Sequence, residues 1–240
     1  MRLIPATDDN HLAEIAADLV IRHVAEQSDL VLTTPTGRTP IGLYRRLRSE
    51  AAAGRFDLDQ ATVFMLDEYL DLPGYPTGSF QAFLREHLGS LVFNASTTVH
   101  TIEPSQTNTA EICANYDRLL DDAGGIDLAI LGVGGNGHVG FNEPGATDDQ
   151  RTHPILLSED TLQANFPGVD TSLLPSTAVT IGLADLLAAR SVLLIASGPT
   201  KAKAIAALCA GARIEASPVT HLLDHPDFTV VAEQALLPAR

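Results

Sequence analysis

The sequence predicts an α/β protein whose doubly wound, mostly parallel, Rossmann-like sheet carries helices on both faces. Short apolar runs that end in glycine, threonine or aspartate alternate with segments of helical periodicity along the chain. This alternation is typical of buried parallel strands joined by amphipathic helices. Because 45% of the 240 residues are hydrophobic, one large core can form. We therefore expect residues 1–240 to fold as a single domain.

In the first half of the chain, an amphipathic helix is predicted behind Asp8 and Asp9. Its apolar face consists of Leu12, Ile15, Ala16, Leu19, Val20 and Val24. Strands are predicted at 30–32 and 62–66, with a helix between them that begins at Pro40, a residue suited to the first helical position. Further helices are predicted at 80–88 and 109–120.

In the second half, apolar runs predict strands at 128–131, 178–183, 192–196 and 228–231, and a helix is predicted at 202–208. Between Thr147 and Thr177 the periodicity weakens and prolines are scattered. Long segments of this kind in compact domains are usually functional, and we expect a lid over about 147–177.

The stretch from Leu128 to Gly145 organises the rest of the chain. A buried strand is followed by a loop that contains Gly132, Gly134, Gly135 and Gly137, a density that indicates a backbone folded closely around a small ligand. His138 and Glu143 follow the loop. A histidine titrates near neutrality and a carboxylate can orient its ring, which favours proton transfer. The alternative is an ordinary turn in which the histidine is a structural hydrogen-bonding residue.

Two strand-to-helix junctions predict anion sites. Thr36, Gly37, Arg38 and Thr39 precede Pro40, so their amides, hydroxyls and guanidinium lie at a helix N-terminus. Lys201 stands at the second junction, after the strand at 192–196. Both resemble phosphate sites in physical type, although the first is not a Walker loop. The alternative is a turn with a helix cap.

Asp67 directly follows the strand predicted at 62–66. Acidic side chains at the carboxyl ends of parallel strands lie where open α/β sheets bind ligands. The alternative interpretation is that Asp67 caps a turn or a helix.

The net charge of −15 argues against nucleic acid or an anionic membrane as a partner. The amino terminus resembles no signal peptide, so we expect a cytoplasmic protein. Cys113 and Cys209 are predicted to be buried thiols. His221 and His225 are four residues apart, but Asp224 replaces the glutamate of zinc motifs and Pro226 ends any helix, so we expect no metal.

Five motifs in order across nearly the whole chain resemble the glucosamine-6-phosphate deaminase (isomerase) family. They are PTGRTP, FMLDEYLDLP, Gly-Ser-Phe at 78–80, GVGGNGHVGFNEPG followed by Arg-Thr, and SGPTKAKAI. The related 6-phosphogluconolactonases usually carry Asp-Glu-Arg at 67–69 and Gly-His-Thr-Ala-Ser at 137–141, so this chain is more similar to the deaminases.

The resemblance implies a reaction on a small sugar phosphate that needs no cofactor and no metal. It implies that His138 assists opening of the sugar ring, that Glu143 orients and charges His138, and that Asp67 moves a proton from C2 to C1. It also implies that the residues of the two anion sites, Thr36, Gly37, Arg38, Thr39 and Lys201, bind the 6-phosphate.

Three departures from the family pattern have consequences. Asn136 stands where many members have aspartate, and we expect it to bond His138 without stabilising an imidazolium. The phosphate-binding arginine of the family's lid has no counterpart next to Asn165, and we expect Arg38 to replace it. The basic residues that bind an acetylated sugar phosphate are replaced at 153–156, so we expect no such activation.

The sequence leaves several alternatives open. The alternative functions are a galactosamine-6-phosphate deaminase/isomerase, an aldose-phosphate isomerase, a 6-phosphogluconolactonase and a non-catalytic sugar-phosphate sensor. The acidic chain lacks a DNA-binding segment, which argues against the sensor. The sugar's stereochemistry and assembly into a homo-oligomer are not fixed by these motifs.

Overall fold

The structure, a computed structural model, describes residues 1–72, 77–103, 108–166, 168–170 and 174–238. Its strands are β1 (Arg2–Ala6), β2 (Val31–Thr34), β3 (Thr62–Met65), β4 (Asp67–Tyr69), β5 (Thr98–His100), β6 (Leu128–Leu131), β7 (His153–Leu156), β8 (Thr177–Thr180), β9 (Ser191–Ala196) and β10 (Phe228–Glu233). Its α-helices are α1 (Asp9–Glu26), α2 (Pro40–Ala52), α3 (Phe80–Leu88), α4 (Thr109–Asp122), α5 (Glu159–Asn165), α6 (Leu183–Ala188) and α7 (Ala202–Ala210). Pro73 and Pro167 lie outside the described residues.

The central sheet has seven strands in the order β1-β10-β9-β6-β2-β3-β5. All of its paired strands are parallel. Buried apolar residues of α1, α2 and α3 form the core on one face, and those of α4, α6 and α7 form the core on the other. The predicted doubly wound, mostly parallel sheet is confirmed. Strands β1 and β5 were not predicted, because each is short and only partly apolar.

A second, three-stranded antiparallel sheet in the order β4-β8-β7 was also not predicted. The predicted strand at 178–183 belongs to this sheet, since β8 pairs with β4 and β7 rather than with the central strands. The segment 147–177 was expected to be irregular, yet it contains β7 and α5. These elements have four and seven residues, too few for a clear period. A small core that includes Tyr69 and Phe141 joins this sheet to the rest.

The structure also bears on the burial of the two cysteines and on membrane-spanning helices. Cys113 is buried, but Cys209 is exposed near the end of α7, which corrects the prediction that both thiols are buried. In the part of the chain that is described, no helix is both long and apolar enough to cross a membrane.

Candidate active site

Four neighbouring strands of the central sheet bring the predicted site residues to one edge. Strands β9, β6, β2 and β3 are adjacent and parallel, so their carboxyl ends lie side by side. The segments that leave these ends are 197–201, 132–145, 35–39 and 66–69. These segments supply Lys201, His138, Arg38 and Asp67, which is the convergence expected from the sequence.

Contacts between the loops tie this edge together. Ser197 and Thr39 are hydrogen-bonded through their hydroxyl groups at 3.4 Å. A β-carbon added to Gly135 would lie 3.2 Å from the carbonyl oxygen of Thr200. The amide of Phe141 donates to the Thr180 hydroxyl, and Thr180 pairs with Asp67 across the small sheet. The glycine-rich loop therefore contacts both the Lys201 segment and the partner strand of Asp67.

Two glycines allow the glycine-rich loop to fold in this way. A β-carbon at Gly134 would come within 2.2 Å of the His138 ring, so only glycine leaves room for the imidazole. Gly137 has a φ of +91°, and a β-carbon there would collide with Ser217. The sequence prediction of a closely folded backbone at this loop agrees with both positions.

His138 is placed next to Glu143. The imidazole Nδ1 lies 3.6 Å from Glu143 Oε1, and the side chains are 20% and 10% exposed. Burial lowers the pKa of His138, the Glu143 carboxylate raises it, and the Lys201 ammonium lowers it further. The result is a pKa below the ordinary histidine value, so the ring is neutral at neutral pH.

Asn136 connects to both residues. Its Nδ2 donates to Glu143 Oε2 at 2.8 Å, and its Oδ1 accepts from the backbone amide of His138 at 3.1 Å. Asn136 therefore bonds His138 through the backbone of that residue. Asn136 is committed to the Glu143 carboxylate and the loop backbone, because its position two residues before His138 places it beside the amide.

Asp67 is a buried carboxylate, and one of its oxygens has no hydrogen-bond partner among the described residues. It is 5% exposed, and the unpartnered oxygen is Oδ1. Burial raises its pKa well above the ordinary value, and the neighbouring Glu68 carboxylate adds to the shift. A carboxylate with a raised pKa is a stronger base than an ordinary aspartate, which suits a group that accepts and returns a proton.

The Asp67 carboxylate acts electrostatically on Tyr44, which is bonded to the PTGRTP loop. Burial raises the pKa of Tyr44, and the negative charge of Asp67 raises it further. The Tyr44 hydroxyl in turn donates to the carbonyl oxygen of Pro35. Tyr44 therefore lies between Asp67 and the loop that carries Arg38.

Arg38 and Lys201 form a pair of cations close enough to repel. Burial lowers the pKa of Lys201, and the Arg38 guanidinium lowers it further. Neither cation has an ion pair with a carboxylate among the described residues. In a chain with a net charge of −15, two unpaired cations at one place indicate a site for an anion.

The two strand-to-helix junctions differ in whether their backbone amides are free to bind an anion. Pro40, the first residue of α2, has no amide hydrogen, and the amide of Ile41 donates to the Arg38 carbonyl oxygen at 3.3 Å. The amides of 37–39, which precede the helix, have no hydrogen-bond partner among the described residues. At the second junction the amide of Gly198 already donates to Glu233 at 2.7 Å. We therefore assign anion binding there to the Lys201 side chain rather than to that amide.

The sequence of this chain matches, over residues 7–231, the family described as glucosamine-6-phosphate isomerases/6-phosphogluconolactonase. The chain belongs to this family. It is 36% identical over 237 residues to glucosamine-6-phosphate deaminase 2 of Bacillus subtilis, covering 97% of this chain and 95% of that protein. It is 38% identical over 222 residues to the glucosamine-6-phosphate deaminase of Rhodopirellula baltica, covering 91% and 88%.

Solved structures of the glucosamine-6-phosphate isomerase/6-phosphogluconolactonase family have the same fold. A monomeric glucosamine-6-phosphate deaminase superimposes with a TM-score of 0.91 at 31% identity, covering 98% of both chains. The 6-phosphogluconolactonase of Trypanosoma brucei superimposes with a TM-score of 0.79 at 18% identity, covering 98% of this chain and 97% of that one. The second likeness concerns the fold alone.

Some residues near the site had no role in the sequence prediction. Thr161 of α5 donates a hydrogen bond to Glu143 Oε1, and Asn165 of the same helix donates to the Tyr69 hydroxyl at 3.0 Å. The Thr34 hydroxyl, at the end of β2, is buried without a partner among the described residues. No pattern in the sequence links α5 to Glu143, because the contact joins residues that only the tertiary structure brings together.

The histidines tested for zinc binding have other partners. His221 Nδ1 lies 2.7 Å from Asp148 Oδ1, and His225 Nε2 is 2.7 Å from the carbonyl oxygen of Ala189. Within the described ranges no group of histidine, cysteine and carboxylate side chains could hold a metal ion.

Proposed function

We propose that this chain is a glucosamine-6-phosphate deaminase, a deaminating isomerase that converts glucosamine 6-phosphate to fructose 6-phosphate and ammonia. One observation carries the proposal. A buried carboxylate with an unpartnered oxygen, Asp67, stands at the same sheet edge as an imidazole backed by a carboxylate and as two unpaired cations. The names of the relatives, at 36% and 38% identity, support the same activity.

The cations fix one end of the substrate. We assign the 6-phosphate to Arg38, Lys201 and the amides and hydroxyls of 36–39 at the start of α2. A dianion there removes the repulsion between the two cations, which strengthens binding. This placement directs the sugar carbons toward the loop that carries His138.

His138 acts first, on the ring form of the sugar. Because its pKa lies below the ordinary value, the neutral imidazole can accept the proton of the anomeric hydroxyl. It returns a proton to the ring oxygen as the C1–O bond opens, and Glu143 stabilises the transient imidazolium. The product of this step is the open-chain aldehyde.

Asp67 acts second. As a carboxylate it removes the proton from C2, giving an enolamine, and then returns the proton to C1. The nitrogen on C2 becomes an imine, which water hydrolyses to the ketone and ammonia. The unpartnered oxygen of Asp67 is suited to this step because no protein hydrogen bond must break before it reaches the substrate.

Several expectations accompany this function as proposals. The segment 147–177 is expected to act as a lid, and the protein is expected in the cytoplasm. The assembly remains open between a homo-oligomer and a single chain. The solved deaminase with a TM-score of 0.91 is described as monomeric.

An ammonia-release assay tests the activity. The purified chain is incubated with glucosamine 6-phosphate, with galactosamine 6-phosphate and, in parallel, with 6-phosphogluconolactone. We expect ammonia and fructose 6-phosphate from the first substrate, and loss of that activity in Asp67→Asn. Faster ammonia release from galactosamine 6-phosphate would assign the other epimer. Hydrolysis of the lactone without ammonia release from either amino sugar would contradict the proposal.

A further inference from the structure

Helix α5 is anchored above the site by its first turn. Ser158 caps the helix, its side chain accepting from the Thr161 amide at 3.2 Å and donating to the Thr161 hydroxyl at 2.9 Å. Thr161 is 2% exposed. Its hydroxyl proton is directed to Glu143 Oε1. A residue of the expected lid segment therefore holds the carboxylate that backs His138.

Each oxygen of the Glu143 carboxylate accepts a hydrogen bond from a neutral group. Oε2 accepts from Asn136 and Oε1 accepts from Thr161. His138 Nδ1 lies 3.6 Å from Oε1, too far for a hydrogen bond, and it has no other partner among the described residues. The imidazole and the Thr161 hydroxyl thus both lie next to Glu143 Oε1, but only the Thr161 hydroxyl is hydrogen-bonded to it.

We propose that Thr161 is a positioning residue of the active site: its hydroxyl holds Glu143 Oε1 away from the imidazole and thereby keeps His138 neutral. While Thr161 is bonded, His138 stays neutral and can accept the first proton. When the hydroxyl is absent, Oε1 can move into hydrogen-bond distance of Nδ1 and stabilise the imidazolium more strongly than it does at 3.6 Å. The catalytic consequence rests on the proposed function, whereas the effect on His138 does not.

The charged groups that act on His138 are Glu143, on its own loop, and Lys201, from the segment before α7. Arg38 acts on Lys201 in turn. Thr161 carries no charge, so replacing it alters the hydrogen bonding of Glu143 and leaves these charges unchanged. A change in the titration of His138 would therefore report the bond to Oε1.

The direct test is titration of the His138 imidazole by NMR, with the signal assigned by its loss in His138→Gln. In Thr161→Val, which has the same shape without the hydroxyl, we expect the pKa of His138 to rise by about 0.5–1 unit, the size of an ordinary hydrogen bond. Thr161→Ser restores the hydroxyl and should titrate like the unaltered protein. Ser158→Ala removes the helix cap but keeps the Thr161 hydroxyl, and it should leave the titration unchanged.

Kinetics provide the second measurement. In Thr161→Val the acidic limb of kcat/KM for glucosamine 6-phosphate should move to higher pH by the same amount, with KM nearly unchanged. The phosphate contacts are untouched, which explains the unchanged KM. An unchanged or lowered pKa of His138 in Thr161→Val, or an equal shift in Ser158→Ala, would overturn the inference. If the unaltered protein releases no ammonia, the proposed function fails, and the titration still decides the role of Thr161.

Discussion

Two neighbouring carboxylates on opposite faces of strand β4 differ in their hydrogen bonding. Asp67 faces the site, 5% exposed, with an oxygen that has no partner in the described part of the chain. Glu68 faces α3 and is fully buried. Its Oε1 accepts from the amides of Tyr69 and Phe80, and its Oε2 accepts from the amide of Gln81. Glu68 therefore offsets the positive end of the α3 dipole, whereas Asp67 Oδ1 accepts no hydrogen bond from the described residues.

The difference separates a group that stabilises the fold from a group available for chemistry. A buried carboxylate with three amide donors is held in one position, because each lost bond would leave a buried amide unsatisfied. A buried carboxylate without donors destabilises the fold and persists where it serves a reaction.

The positively charged side chains show the same difference between paired and unpaired groups. Arg151 contacts three carboxylates, lying 2.9 Å from Asp121, 2.9 Å from Asp185 and 3.9 Å from Asp117. Arg38 lies close enough to Lys201 to lower the pKa of its ammonium group. Neither cation has an ion pair with a carboxylate in the described ranges. We take Arg151 as part of the scaffold and the other two cations as part of the binding site.

The largest effect is expected at Asp67. Asp67→Asn should lower kcat by about 10³-fold, because the amide cannot accept the C2 proton. The same variant should be more stable at neutral pH. The raised pKa means that the stability contribution of Asp67 is complete below the ordinary aspartate pKa and is lost as the pH rises through the folded-state value. Thermal unfolding from pH 4 to 8 measures this, and equal stability of both proteins at every pH would contradict it.

Glu68→Gln should show the reverse pattern. The glutamine NH2 group cannot accept from the amides that bond Glu68, so we expect a loss of about 2 kcal/mol in the free energy of unfolding. The activity of the folded fraction should change far less than in Asp67→Asn. Urea unfolding combined with kcat per folded molecule checks both. A stable but inactive Glu68→Gln protein would remove the distinction between the two faces.

A smaller effect is expected from the unpaired cation Arg38. Arg38→Ala should raise KM for glucosamine 6-phosphate by about 10-fold with kcat nearly unchanged, since a charge-assisted bond of ordinary strength is lost. Arg46→Ala is the matched control, because Arg46 lies on α2 and pairs with Glu50. An unchanged KM in Arg38→Ala would show that Arg38 does not replace the missing lid arginine.

No effect is expected from N-acetylglucosamine 6-phosphate. The guanidinium of Arg151 is already engaged by three carboxylates, so it is not free to bind an effector phosphate. The saturation curve with glucosamine 6-phosphate should be the same with and without this compound. A curve that becomes steeper or moves to lower substrate concentration would show that Arg151 is available after all.

Sequence patterns were sufficient for five of the seven strands of the central sheet and for the helices on its faces, because these strands are continuous apolar runs and the helices have a regular apolar period. The small sheet escaped prediction for the opposite reason. Strand β4 has three residues, all buried, so it has no alternation of exposed and buried positions. Its partner β8, and the strand β7 that pairs with β8, follow more than 80 residues later in the chain, as the register Asp67 with Thr180 and Thr180 with His153 records.

The candidate site divides in the same way. The sequence placed Asp67, His138 and the two anion loops at strand ends, and parallel topology brings such ends to one edge. The motifs gave Asp67 a role and Glu68 none, although both acids follow the same strand. Their separate roles depend on which side chain meets the amides of α3.

The sequence by itself determined the fold class, the family motifs and the kinds of chemical group at the sheet edge, because these depend on local periodicity and residue type. The tertiary structure decided which charged groups are paired. Glu68 and Arg151 find partners through contacts between distant segments. Among the described residues, Asp67 Oδ1 has no hydrogen-bond partner and Lys201 has no ion pair. Charge pairing in a folded chain depends on distances of a few ångströms between residues far apart in sequence, which no local pattern encodes.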